Sequence, residues 1–147
     1  MRAAPGSSGD VPVYEEARFV IRDGADGPIV RGCDSVSLVK AEDEGAIVIT
    51  ASHGEVLASS PTWGNRPQVS AAIFNDAGSD LVSRLPDLDT RSIPAATVAT
   101  ASARIGDARS GYDDGVLSHV NNAAAALGAE PGMTTIAFVD LVIEKTR

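Results

Sequence analysis

The chain has two imidazoles, His53 and His119, and imidazole is the side chain that exchanges a proton near neutral pH. Each histidine follows a serine, in SHG at 52–54 and in SHVN at 118–121. Between them lie FNDAG at 74–78, with the carboxylate of Asp76, and SARIGD at 102–107, with Arg104 and Asp107. These are the parts of a general acid–base site. Imidazole takes and returns a proton, a carboxylate orients it or acts as a base itself, and a guanidinium clamps a substrate carboxylate at two points. His53 is the leading acid–base candidate, with Asp76 and His119 as its catalytic companions. Ser52, Gly54, Asn75, Gly78, Arg104, Asp107 and Asn122 are the substrate-binding candidates.

Plainer roles compete with each of these. His53 could be a turn histidine bonded to a carbonyl, His119 a packing residue and Asp76 a turn cap. Arg104 and Asp107 could simply pair with each other, and Asn121 or Asn122 could be a solvated helix residue. His53, His119 and Asp76 would also make a two-histidine, one-carboxylate metal set, but no HxH or HxxxH spacing supports it and no metal is expected. Ser52 would point to the strand face opposite His53, and no G-x-S-x-G elbow occurs. With neither a P-loop nor a complete G-x-G-x-x-G, no cofactor is expected.

The elements that must position these residues share one pattern. The stretch GAIVITASHG at 45–54 is an apolar, β-branched run that stops at small and polar residues. Such a run suits a strand covered on both faces, as in a parallel sheet. Gly54 permits the turn that follows, and 55–60 fits a short helix ended by Pro61. The same pattern recurs at 69–79 and at 93–99. The carboxyl ends of parallel strands lie on one edge, where ligands bind in open α/β sheets. Three polar strand ends are therefore expected to converge.

Around that core, 11–22 and 28–31 flank the DGADG turn as an N-terminal hairpin. Residues 34–39 read as a further strand. The loop 61–68 carries Trp63, placed either to pack against the core or a subunit or to contact ligand. Ser79 would cap a short helix over 80–85 that ends or kinks at Pro86. The clearest helix is 114–127, capped by Asp113 or Asp114 and ended by Gly128, with Val116, Val120, Ala123, Ala124 and Leu127 as its apolar stripe. That helix would put His119 and Asn122 near the site edge. For 134–145 strand and helix compete, and the Pro-Gly-Met-Thr entry favours helix.

Composition narrows the partners. A net charge of −8 with two lysines disfavours nucleic acid and membrane surfaces, which are held by clustered Lys and Arg. The single Cys33 excludes an internal disulfide and reads as a buried or incidental thiol, which fits a reducing cytoplasm. Residues 1–10 read as a solvated, disordered tail and 11–147 as one domain. No run approaches transmembrane length.

The ordered set SHG, FNDAG, SARIGD and SHVN resembles a family of small uncharacterised bacterial α/β proteins, over about 34–132. The family pattern has a second glycine after SHG and a longer, lysine-containing glycine-rich loop after NDAG. Here Glu55 and Gly78-Ser79-Asp80 stand instead, which implies a more open pocket or a different ligand. The resemblance implies no established activity.

The expectation is a single-domain, three-layer Rossmann-like α/β fold with a mainly parallel sheet and an N-terminal β-hairpin. Its function would be that of a cytoplasmic small-molecule enzyme, a hydrolase or a lyase/isomerase, acting on a small carboxylate- or carbonyl-containing substrate. The alternative is a non-catalytic ligand-binding or assembly subunit. Homo-oligomerisation is compatible with either.

Overall fold

The computed structural model describes residues 17–25, 27–53, 67–79 and 82–146. Among them, six strands form one sheet whose spatial order follows the chain. These are β1 (Arg18–Arg22), β2 (Val30–Cys33), β3 (Ile47–His53), β4 (Ala71–Asn75), β5 (Ala95–Val98) and β6 (Leu117–Val120). Strands β2 to β5 are parallel, and β1 and β6 add antiparallel at the two ends. The molecule is thus mixed α/β with a mostly parallel sheet, and β1 with β2 is the expected N-terminal antiparallel pair. In that pair the ring of Phe19 lies over Gly32, where an added Cβ would come within 2.5 Å of Cζ.

Side chains of the central strands are buried on both faces and alternate between them, as their period of two requires. Ile47, Ile49, Ala71, Ile73, Ala96 and Val98 belong to one core cluster. Val48, Ala72, Phe74 and Ala95 belong to the other. The second cluster is completed by the 3-10 turn Val36–Leu38 and by helix α1 (Arg84–Asp89), through Val36, Leu85 and Leu88. Helices α2 (Ala108–Asp114), α3 (Asn122–Leu127) and α4 (Thr135–Thr146) close the first, through Tyr112, Ala124, Phe138, Val139 and Val142. Right-handed crossovers that add parallel strands in one direction all fall on one face. The opposite face is left to the elements after β5. The order contains no reversal, so the sheet lacks the switch point that opens a crevice in doubly wound folds.

Three expectations are corrected. Residues 34–39 do not form a strand. Ser35 caps the 3-10 turn Val36–Leu38, and Ser52 Oγ accepts the Val36 N–H at 2.7 Å; short hydroxyl side chains compete in this way for backbone donors. The helix expected over 80–85 is α1, and it runs through Pro86 as its third residue. A proline in the first turn forfeits no intrahelical bond.

The third correction matters most. Residues 114–127 are not one helix: α2 ends at Asp114, β6 follows, and α3 begins at Asn122. Gly115 makes the break. It is extended, with φ −65° and ψ 141°, and a Cβ there would lie 2.6 Å from Thr135 Oγ1 and 2.7 Å from Val98 Cγ1. The apolar residues that matched a helical stripe are satisfied in two elements instead, with Val120 on β6 and Ala124 and Leu127 on α3 all packed in the same cluster. Gly128 does end the helix, at φ 108°, and 134–145 is the helix α4. No helix among the described residues is long and apolar enough to cross a membrane.

Candidate functional site

Strands β3 and β4 end side by side, with His53 paired to Asn75. Between Ile49 and His53 the register of β3 shifts, and Thr50 Oγ1 donates to the Ile73 carbonyl at 2.7 Å. Beyond β4 two successive side chains turn the chain. Asn75 Oδ1 accepts the Ala77 N–H at 2.7 Å, and Asp76 Oδ1 accepts the Gly78 N–H at 2.7 Å. Ala77 and Gly78 both adopt positive φ, 53° and 79°. For alanine that is a strained conformation, of a kind that clusters at functional turns. Asp76 Oδ1 also accepts the Thr100 N–H at 3.0 Å, so the carboxylate ties the end of β4 to the segment after β5.

Strand β6 supplies the imidazole. Val98 pairs with Leu117 and Thr97 with His119, so Ser118 is the extra residue of a β-bulge. In a regular strand Ser118 and His119 would face opposite sides; the bulge re-aims them. Both reach Thr97. Ser118 Oγ lies 2.8 Å from Thr97 Oγ1, and His119 Nδ1 lies 3.1 Å from Thr97 Oγ1 and 3.2 Å from Ser118 Oγ. The Ser118 hydroxyl also donates to the Thr97 carbonyl at 3.4 Å.

Burial alone would push the Asp76 carboxyl up. The bond from the Gly78 N–H, the nearby Ser118 hydroxyl, the bond from the Thr100 N–H and the nearby His119 outweigh it and hold the group below the usual carboxylate range. Asp76 is therefore an anion at neutral pH, although it is only 7 % exposed. The result is a bonded cluster of two hydroxyls and an imidazole, with a carboxylate beside it, at the carboxyl edge.

The other candidates are placed differently. His53 is the half-buried last residue of β3, and its carbonyl accepts a bond of 3.0 Å from Arg84 Nε. Arg84 is a buried arginine whose guanidinium lies 5.6 Å from the centre of the Phe74 ring. Three interstrand steps separate β3 from β6, or roughly 14 Å at about 4.8 Å each, so the two histidines do not form one couple. Among the described residues, no three His, Cys, Asp or Glu side chains converge as metal ligands. Ser52 serves the 3-10 turn, as described above, and Gly54 and Trp63 lie outside the described residues, as do 1–16 and 55–60.

Arg104 and Asp107 form the internal ion pair that was one of their two readings, with Nη2 to Oδ2 at 2.8 Å and a 76 % exposed arginine side chain. Asp107 also caps α2 by accepting the Ser110 N–H at 3.1 Å. Burial would raise its carboxyl, but that bond and Arg104 hold it low.

Asn122 is brought to the wrong edge for the expected site. Because β6 runs antiparallel to β5, it carries the chain to the amino edge, where the Asn121 N–H bonds the carbonyl of Ala95 at the start of β5. Asn122 is exposed there, and its N–H bonds Asp89 Oδ2 at 3.1 Å.

Sequence reasoning missed Ser118, Thr97 and Arg84. Adjacent Ser118 and His119 converge only through a bulge, which has no local signature. A period-two pattern was present in the alternation of Leu117 and His119, hidden by the helical spacing of the apolar residues around them.

A cavity of about 220 Å³ lies at the opposite, amino edge, lined by Arg31, Glu42, Asp43 and their neighbours. Its charges serve each other: the fully buried side chain of Asp43 pairs with Arg18 at 2.7 Å and Arg31 at 3.1 Å. The thiol of Cys33 is buried and pushed up to about 11, first by burial and then by Asp43, so it is no nucleophile at neutral pH. No protein-family model matches the chain, and neither a curated protein nor a solved structure matches it.

Proposed function

We propose that this protein is a small-molecule enzyme that performs acid–base chemistry at the carboxyl edge of its sheet, as a hydrolase or a lyase/isomerase on a small carboxylate- or carbonyl-containing substrate. One observation carries the reading: His119 is bonded to Thr97 and Ser118 on a bulged strand, with the anionic Asp76 carboxylate close enough to act on its charge. Water activation and proton abstraction beside a carbonyl both require an oriented imidazole, and the cluster supplies one. The leading role passes from His53 to His119, because the Asp76 carboxylate lies close enough to His119 to interact with its charge. His53 would face the substrate from the neighbouring strand end, while the buried Asn75 holds the turn beside it by accepting the Ala77 N–H and donating to the Ala103 carbonyl. Ser118 fits a supporting role better than a nucleophilic one, since its hydroxyl is engaged by Thr97.

The finer fold reading, a three-layer Rossmann-like domain, belongs to the same proposal and draws on the two core clusters that flank the sheet. A cytoplasmic setting is proposed from the single buried cysteine. The charge of −8 favours a small-molecule partner over nucleic acid.

The test is native mass spectrometry for a co-purifying small acid, then turnover of a panel of small hydroxy, oxo and amide acids. His119→Gln should lower turnover by about 10²–10⁴ with the fold retained. Unchanged turnover in both His119→Gln and His53→Ala would sink the proposal. A second reading, an assembly subunit, draws on Val20, which is 49 % exposed on the terminal strand β1. Sedimentation of Val20→Lys against wild type would separate the two.

A further inference from the structure

We infer that the cavity at the amino edge of the sheet binds a free α-amino acid with an apolar side chain, its carboxylate on Arg31 and its ammonium on Glu42 and Glu44. The site is separate from the acid–base cluster and does not depend on it. Arg31 stands on β2, and Glu42 and Asp43 stand in the 3-10 turn Ala41–Asp43 that leads through Glu44 into β3. With Ile29 they line one cavity of about 220 Å³. That is below the roughly 300–1,000 Å³ of pockets for drug-sized ligands, and it leaves room for one small molecule.

The occupant is decided by the donors and charges that remain once the buried pairs are made. Asp43 is satisfied. Its Oδ1 accepts from Arg18 Nη2 at 2.7 Å and from Arg31 Nε at 3.1 Å, and its Oδ2 accepts the Lys40 N–H at 2.9 Å. Arg31 is not. A guanidinium has five N–H donors, and among the described residues the Nε–H to Asp43 is the one side-chain hydrogen bond that Arg31 makes. Its Nη2 stops 3.9 Å from Glu42 Oε2, beyond hydrogen-bond reach. The arginine side chain is nevertheless only 15 % exposed, so its remaining donors stand partly desolvated at the cavity wall. The bond to Asp43 steadies the guanidinium, and the terminal Nη pair is a fork that a carboxylate engages at two points.

A simple anion would meet Glu42 and Glu44 in the same cavity, and a simple cation would meet Arg31. A molecule carrying both charges suits both. Glu42 Oε2 accepts from Arg18 at 3.1 Å, which leaves Oε1 for an ammonium group. Because Arg31 and Glu42 stand side by side without bonding, the ligand must carry its own two charges close together, as an α-amino acid does on one carbon. Ile29 supplies the remaining contact. It is one of the large apolar side chains left open among the described residues, at 39 % exposed, and covering it removes apolar surface from water. That selects an apolar side chain on the ligand.

Calorimetric titration of the full chain with L-leucine tests the site, with isocaproate and isoamylamine as the same molecule lacking one charge. L-Leucine should bind saturably, and each analogue about tenfold more weakly or worse. Glu42→Gln combined with Glu44→Gln, at two exposed positions, should weaken leucine by about tenfold and strengthen isocaproate, a reversal that damage to the fold would not produce. Arg31→Lys keeps a charge beside Asp43 but loses the fork, and should weaken leucine by a similar factor. No saturation by L-leucine overturns the inference, and so does isocaproate binding as tightly as leucine. Leucine binding that is lost in His119→Gln but kept in the double variant would place the ligand at the carboxyl edge and overturn it too. The wild-type titrations and the double variant decide even if Arg31→Lys fails to fold, and none of these outcomes bears on the turnover expected of His119.

Discussion

The carboxylate of Asp76, just past the end of β4, accepts the backbone N–H of Thr100, just past the end of β5, at 3.0 Å. The Asp76 N–H donates in turn to the Val98 carbonyl at 2.9 Å. One residue thus closes the sheet edge with its backbone and side chain while presenting a negative charge to Ser118 and His119. Structure and proposed chemistry meet in the same carboxylate.

That double role has a pH signature. Asp76→Asn should cost about 1–3 kcal/mol at pH 7, the usual worth of charge-assisted bonds to a buried acceptor. The folded group titrates below its ordinary value of 3.8. Its contribution is therefore complete above about pH 4 and is lost as the pH falls through the lower folded value. Urea unfolding of wild type and variant from pH 7 to pH 2 should show the gap narrowing only in that acid range. A gap of constant size would mean that the charge of Asp76 does not stabilise the fold.

Two adjacent asparagines should behave in opposite ways. Asn121 is 5 % exposed. Its Oδ1 accepts the Ala95 and Ala124 N–H groups, both at 2.9 Å, and its Nδ2 donates to the carbonyls of Ile93 at 2.9 Å and Leu85 at 3.2 Å. Asn121→Ala strands those buried partners and should cost about 2–4 kcal/mol. Asn122→Ala should change stability by no more than roughly 0.5 kcal/mol, and turnover should be untouched because Asn122 stands at the amino edge. Chemical denaturation of the pair checks the first, and the substrate panel checks the second.

The Arg104–Asp107 pair divides unevenly as well. Arg104→Ala should cost less than about 1 kcal/mol, since the arginine is exposed and its ion pair is screened. Asp107→Ala removes the cap of α2 and should cost about 1–2 kcal/mol. If Arg104 clamps a substrate anion, its alanine variant will raise KM while thermal unfolding stays close to wild type. An unchanged KM would leave Arg104 as a loop residue only.

Gly115→Ala should destabilise the protein by about 1–3 kcal/mol or more, because the added methyl meets Thr135 Oγ1 and Val98 Cγ1 well inside van der Waals contact. The same change should loosen the passage from α2 into β6 and so disturb His119. A calorimetric melt combined with the imidazole NMR signals would report both effects. A melt equal to wild type would show that the turn yields without cost.

The sequence by itself determined the central strands, the edge on which they end and the identity of the polar residues there. Continuous apolar runs before SHG and FNDAG admit few alternatives, because a short β-branched segment without polar alternation must be covered on both faces. That is how His53, Asn75 and Asp76 were legible at the carboxyl edge. Helix α4 was legible from its entry chemistry.

Only the tertiary structure decided where SHVN lies. The apolar residues from Val116 to Leu127 satisfy a helical period, and local spacing reports which residues share a face but not which partner will cover it. Strand β5 had an edge of backbone groups to satisfy, and Gly115 fitted a gap between Val98 and Thr135 that is too tight for a Cβ unless its neighbours shift. These distant contacts made β6 a strand. They sent Asn122 to the amino edge, and through one extra residue they brought Ser118 and His119 together against Thr97. The candidate residues were written in the chain, but the bonds among them arise from a bulge that only strand pairing creates.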